Sequence, residues 1–155
     1  MKAQPVLVSS VAEEWQARRM KIQPVLATSV AQVWPSVEKH IASALEYSKG
    51  DYNADHAKVY LSRGDWNLFV AVNKSNTIKG AAIVEYINRP NDRVAFMIAI
   101  GGRLITSADT FSQFKDLLKF DGATKLEGAA RESVARLWMS RFGCTEKYRI
   151  VEVSL

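Results

Sequence analysis

Apolar and polar positions along the chain change period partway through. From residue 35 to 48, Val37, Ile41, Ala44 and Leu45 recur at helical spacing with charged residues between them. This predicts an amphipathic helix, with Pro35 at its first position and Gly50 as its stop. Ahead of it, Ser29–Trp34 reads as a short helical turn and Lys21–Ala27 as a strand, where Pro24 suits a sheet edge. Asn53 caps a second helix, Ala54 to about Ser62, which ends at Gly64. The pattern then turns to runs rich in β-branched and aromatic residues. Trp66–Lys74, Ile78–Asn88 and Arg93–Ile100, joined by Ser75-Asn76 and by the Arg89–Asp92 turn, predict an antiparallel meander. A loop, Gly101–Ser107, leads into a helix, Ala108–Phe120, stopped by Asp121-Gly122. Thr124–Ala129 is a short strand, Glu132–Arg141 a helix closed by Gly143, and Lys147–Leu155 a final strand. The order β α α β β β α β α β predicts an α/β (α+β) fold: a mixed sheet, a central antiparallel meander and helices on both faces.

The start of the chain carries a direct repeat. Residues 2–15 (KAQPVLVSSVAEEW) and 21–34 (KIQPVLATSVAQVW) are identical at nine of fourteen positions, at an offset of nineteen. Each copy has an extended Gln-Pro-Val-Leu followed by a capping-box spacing, Ser10 with Glu13 and Ser29 with Gln32. Two copies are too few for a solenoid. Two readings stand: residues 1–19 are an appendage to a domain spanning 20–155, or the first copy docks on a neighbouring subunit as a swapped strand, giving self-association through residues 1–19.

The 155 residues suit one domain, and 48 % hydrophobic with 24 % charged residues is ordinary globular composition. No apolar run reaches the ~18–20 residues that span a bilayer, so no membrane association is expected. Glu13, Glu14, Arg18 and Arg19 interrupt any signal-peptide centre. A single cysteine, Cys144, rules out an intrachain disulfide and a cysteine zinc cluster, and the two histidines offer no metal spacing, so no metal is expected. The net charge of +5 comes from scattered residues. No nucleic-acid motif accompanies it, so nucleic acid is not an expected partner. Serine-nucleophile, P-loop and dinucleotide fingerprints are absent.

Several local strings resemble a known family. They are Trp34-Pro-Ser-Val-Glu-Lys-His-Ile41, Gly64-Asp65-Trp66, the stretch from Arg89 to Gly102, and Glu127-Gly-Ala-Ala-Arg131 followed by Phe142-Gly143. Together with the element order they resemble small GNAT-like proteins (acyl-CoA N-acyltransferase superfamily) encoded by tailed bacteriophages, over about residues 21–155. The resemblance implies acetyl-CoA as cofactor and a host or phage protein as partner; the lone cysteine suggests the reducing host cytoplasm, and the repeat at residues 2–15 keeps a place in the virion open. It also implies a pyrophosphate site on backbone N–H groups after the fourth strand, at a helix N-terminus. Here that stretch runs from Ile100, Gly101, Gly102 and Arg103 to Thr106 and Ala108. Arg103 and Ala108 match the Arg/Gln-x-x-Gly-x-Gly/Ala motif, and Thr106 stands where its central glycine belongs. Asp109 follows three residues later, in a capping-box arrangement that already uses the helix-end field.

Transfer of an acyl group to an amine needs a base and an acid. The resemblance points to Glu85 and Glu127 as candidate bases and Tyr148 as candidate acid. The residues themselves also allow plainer roles: a strand position for Glu85, an ion pair with Arg131 or Lys125 for Glu127, packing for Tyr148. His40, inside the Val37–Ile41 stripe, reads as a partly buried histidine. The expectation is therefore a GNAT-like protein with a degenerate CoA site. The alternatives are a non-catalytic virion- or ejection-associated interaction module and an inhibitor of a host protein.

Overall fold

A computed structural model describes residues 20–155. The first repeat copy, its Ser10/Glu13 pair and the appendage 1–19 lie outside the described residues. The elements are β1 (Lys21–Val25), α1 (Val30–Leu45), α2 (Ala54–Ser62), β2 (Asn67–Val72), β3 (Ile78–Asn88), β4 (Arg93–Gly102), α3 (Ala108–Phe120), β5 (Lys125–Gly128) and α4 (Glu132–Phe142). The five strands lie side by side in chain order. β1 through β4 are antiparallel and β5 is parallel to β4.

Alternation along the strands splits the core into two layers. Ala81, Ile83 and Ala99 face α1 and α2, packing against Trp34, Val37, Ile41 and Leu61. Ala82, Val84, Ala95 and Met97 face α3, packing against Phe114 and Leu118. Helices therefore cover both faces of a mixed sheet, as the sequence predicts.

Three local expectations are corrected. First, Pro35 does not begin a helix but is the sixth residue of α1. Val30 and Trp34 fall on the same stripe as Val37, Ile41 and Leu45, all buried to 5 % exposure or less. Burial of that continuous stripe carries the helix across the missing N–H. Second, Ser29 makes no capping hydrogen bond. A short 3-10 turn, Ala27–Ser29, leaves it at φ −102°, ψ −3°, where the extended geometry of a cap is lost. Third, residues 147–155 form no strand. They lie exposed, and β5 is the last strand of the sheet. Their apolar residues change face between Ile150 and Val151, and a strand exists only with a partner ladder, which is not made here.

The opposite edge of the sheet is closed. The Ile22 N–H donates to Gln113 Oε1 (3.0 Å), and Gln113 Nε2 donates to the Met20 carbonyl (3.0 Å). The next outward-facing residue of β1 is Pro24, which has no N–H. A side-chain amide from α3 thus stands in for a neighbouring strand, and Pro24 ends the row.

Candidate functional site

The β4–β5 pair opens into a fork. Pairing runs only from Val94–Met97 to Lys125–Gly128, while β4 continues to Gly102. Opposite β3 the register slips at Ile83/Val84, leaving Ile98 as an extra residue on β4. Trp138 of α4 closes over the crotch of the fork: a Cβ on Gly128 would meet its ring and Met97 Cβ at 3.3 Å.

The glycine pair at the end of β4 approaches protein. A Cβ on Gly101 would lie 2.2 Å from the His40 carbonyl oxygen of α1. Gly102 has φ +67°, and its Cβ would meet the Lys79 carbonyl oxygen at 2.5 Å and His40 Nδ1 at 2.7 Å. Ile100 and Gly101 are half-buried, and Gly102 and Arg103 are exposed. Burial, helped by the charge of Lys39, holds the His40 pKa below its ordinary value, which favours the neutral imidazole beside Gly102.

The loop that follows is tied down by its own side chains. The Arg103 N–H donates to the Lys79 carbonyl (2.8 Å). The N–H groups of Thr106 and Ser107 both donate to Thr110 Oγ1, at 2.9 and 3.1 Å. The Thr110 N–H in turn donates to Ser107 Oγ (3.2 Å). Thr110 is 2 % exposed. The capping box of α3 is therefore Ser107 with Thr110, one residue later than the expected Thr106–Asp109 arrangement. Asp109 sits in the first turn and accepts from Gln113 Nε2 (2.9 Å). Ala108 is the first residue of α3, and Thr106 and Ala108 are exposed.

The carboxylates share one row across the sheet. Glu85 pairs in register with Phe96, and Phe96 with Glu127, so all three side chains point to the α1–α2 face. Phe96 separates the two acids by two interstrand spacings, roughly 10 Å. Glu85 is half-buried and accepts from the indole of Trp66 (3.3 Å). Glu127 accepts from Arg89 Nη1 through both oxygens (2.9 and 2.8 Å) and from Lys147 Nζ (2.8 Å). Burial pushes its pKa up, but the hydrogen bonds and charges of Lys147 and Arg89 outweigh that and hold it below the carboxylate range. The partners are thus Arg89 and Lys147, where the sequence suggested Arg131 or Lys125. Tyr148 stands 60 % exposed, beside Lys147.

The structure thus sets Glu85 and Glu127 in one row on either side of Phe96, leaves Tyr148 on the exposed tail, and places Ile100 to Ala108 around the end of β4 and the start of α3. Sequence reading missed Thr110, Gln113 and Arg89. The Ser107–Thr110 spacing carried the signal for the first; nothing local announces the other two. A cavity of about 410 Å³ lies at the other end of β4, beside Tyr86, Arg93 and Asp121. Arg93 there stacks on Tyr86 and donates to the Asp121 carbonyl (3.0 Å), while the Tyr86 hydroxyl donates to the Asp121 carboxylate. Among the described residues no cluster of three metal-ligating side chains occurs, and no helix is long and apolar enough to cross a membrane.

No family model matches the sequence, and no curated protein matches it. Solved structures do match in shape. An aminoglycoside acetyltransferase from an uncultured soil metagenomic sample, in complex with trehalose, is 11 % identical with a TM-score of 0.63, covering 88 % of this chain and 96 % of its own. A ribosomal-protein-alanine N-acetyltransferase from Brucella melitensis biovar Abortus 2308 is 13 % identical with a TM-score of 0.62, covering 88 % and 99 %. At this identity the likeness is one of fold: the chain has a GNAT-like, acyl-CoA N-acyltransferase-like architecture.

Proposed function

Starting from that architecture, we propose that the chain is a GNAT-fold protein whose acyl-CoA site is closed and whose role is binding a protein partner. The observation that carries this is Thr110. Its hydroxyl already accepts the Thr106 and Ser107 N–H groups, which sit where the fold would present donors to a pyrophosphate. Opening them breaks hydrogen bonds worth about 1 kcal/mol each before a ligand gains anything. Thr106 adds a branched Cβ at the same place, and the glycines one turn earlier approach α1. These residues do not fit acetyl-CoA.

The acid–base set is equally unsuited. Glu127 is held ionised by two cations, which opposes its taking a proton from an amine. Glu85 is tied to Trp66 and remains the one candidate base, should the cofactor bind. A partner from a host cell or a tailed phage, met in the cytoplasm or in the virion, is consistent with the local strings. Blocking a host protein is the variant of this reading in which the partner is an enzyme.

The test is acetyl-CoA titration by calorimetry on wild type, Thr106→Gly and the double variant Thr106→Gly/Thr110→Ala. Wild type is expected to bind with Kd above a millimolar, and the double variant to gain affinity. Micromolar binding by wild type would overturn the proposal and make Glu85→Gln the next enzyme variant to assay.

A further inference from the structure

We propose that the cavity at the start of β4 is a binding site for a dibasic α-amino acid, a small molecule with one carboxylate and two ammonium groups. It lies at the opposite end of β4 from the closed acyl-CoA loop and does not rest on the protein-binding role.

A step in the sheet makes the cavity. Asn67, the first residue of β2, pairs with Val84, so residues 85–88 of β3 pair with β4 alone. The chain turns at Gly64, in the left-handed region at φ +81°, and enters β2 beside this overhang. Alternation sets Asn67, Tyr86 and Arg93 on the same face as Phe69, Val84 and Ala95, near the end of α3 at Asp121. The space of about 410 Å³ is lined by Gly64, Asp65, Asn67, Tyr86, Arg93 and Asp121, with no aliphatic side chain. That volume lies within the range of small-ligand sites, roughly 300–1,000 Å³.

Its polar groups are held in place and left partly unused. The Arg93 guanidinium stacks on Tyr86, 4.5 Å from the ring centroid. It donates from Nε to the Asp121 carbonyl (3.0 Å) and from Nη1 to Asn88 Oδ1 (2.9 Å). Among the described residues Nη2 has no partner. The Tyr86 hydroxyl occupies Asp121 Oδ2 and leaves Oδ1. Burial, with that bond, pushes the Tyr86 pKa up, so the hydroxyl stays protonated. Arg63, outside the lining, takes Asp65 Oδ2 (3.0 Å) and leaves Oδ1. Asn67 is half-buried, and its side-chain amide has no hydrogen-bond partner among the described residues.

These groups select by charge. Two carboxylates and one guanidinium match a ligand with two cations and one anion, and the C-terminal end of α3 adds partial negative charge. Asp121 adjoins Arg93, as an α-ammonium adjoins its own carboxylate. Arg93 Nη2 and the Asn67 amide N–H donate to the ligand carboxylate, and Asp121 Oδ1 accepts from the α-ammonium. Asp65, on the β2 side, is left for the second ammonium. Its pair with Arg63 is exposed on both partners and holds it weakly. Other classes fit worse. A phosphate meets two carboxylates, and a divalent cation meets the guanidinium. An apolar ligand finds no aliphatic wall, and a sugar finds the Tyr86 face covered by Arg93.

The experiment is calorimetric titration of the full chain with L-lysine and three analogues that each lack one charge. Cadaverine has no carboxylate, 6-aminohexanoate no α-ammonium and norleucine no second ammonium. Lysine is expected to bind with Kd below about a millimolar, and each analogue at least about ten-fold more weakly. Asp65→Asn and Asn67→Ala stand clear of the Tyr86–Arg93–Asp121 frame. Each is expected to weaken lysine binding about ten-fold with an unchanged thermal midpoint. Thr106→Gly/Thr110→Ala is expected to leave lysine binding unchanged, which separates this site from the acyl-CoA loop. Four results would overturn the proposal: a lysine Kd above about 10 mM, an analogue that binds as tightly as lysine, full affinity in either wall variant, or lysine binding lost in the loop variant.

Discussion

Gly101 shows how one residue's role is set by its neighbours in space. The sequence offers a Gly-Gly pair just before a helix, which fits backbone meeting phosphate. In the fold, that closeness is to the α1 backbone at His40. Gly101→Ala would put a methyl 2.2 Å from a carbonyl oxygen, a clash between two rigid segments. We expect this variant to lose about 2–3 kcal/mol of stability in urea unfolding, the upper range for overpacking. A loss under half a kilocalorie would mean that α1 and β4 can part there without strain. Thr106 is the contrary case. Its departure from the glycine pattern is visible in the sequence, and the structure adds the hydroxyl of Thr110, whose reach back over the turn depends on the helix starting at residue 108.

At the scale of elements, the edges matter most. β1 is kept from pairing outward by a glutamine that arrives from residue 113, 91 positions away in the chain. Gln113→Leu keeps the volume and removes both edge hydrogen bonds. The Ile22 N–H and the Met20 carbonyl would then turn to water or to another chain. A stability loss of about 1–2 kcal/mol is expected, with new concentration-dependent association seen by light scattering. An unchanged unfolding midpoint together with a purely monomeric scatter would show that the amide guards nothing. Helix boundaries were largely legible: Ala108–Phe120 follows from its stripe and its Asp-Gly stop. The length of α1 was not, because the proline rule is local and the buried Val30–Leu45 stripe is a property of the packed core.

Across the whole molecule, Glu127 joins three distant segments. Arg89 comes from the turn after β3, Glu127 from β5 and Lys147 from the tail. Its pKa is lowered by folding, so its stabilisation is full above the ordinary carboxylate value of about 4.3 and is lost as pH falls through the folded value. Glu127→Gln should therefore lower the thermal midpoint by about 2–4 °C at pH 7, with the gap to wild type closing at acid pH. A gap of constant size from neutral to acid pH would contradict an ionic role.

The alternation of the strands, the helical stripes and the caps at Asn53 and Gly143 were all written in residues a few positions apart. They sufficed for a mixed sheet between helices. They could not show that Thr110 covers the loop amides, that His40 lies against Gly101, that Arg89 and Lys147 share one carboxylate, or that Lys147–Leu155 finds no ladder. Local order follows from backbone geometry and side-chain period, which neighbours in the chain set. Occupied donors, filled clefts and open edges follow from residues that only folding brings within a few ångströms of one another.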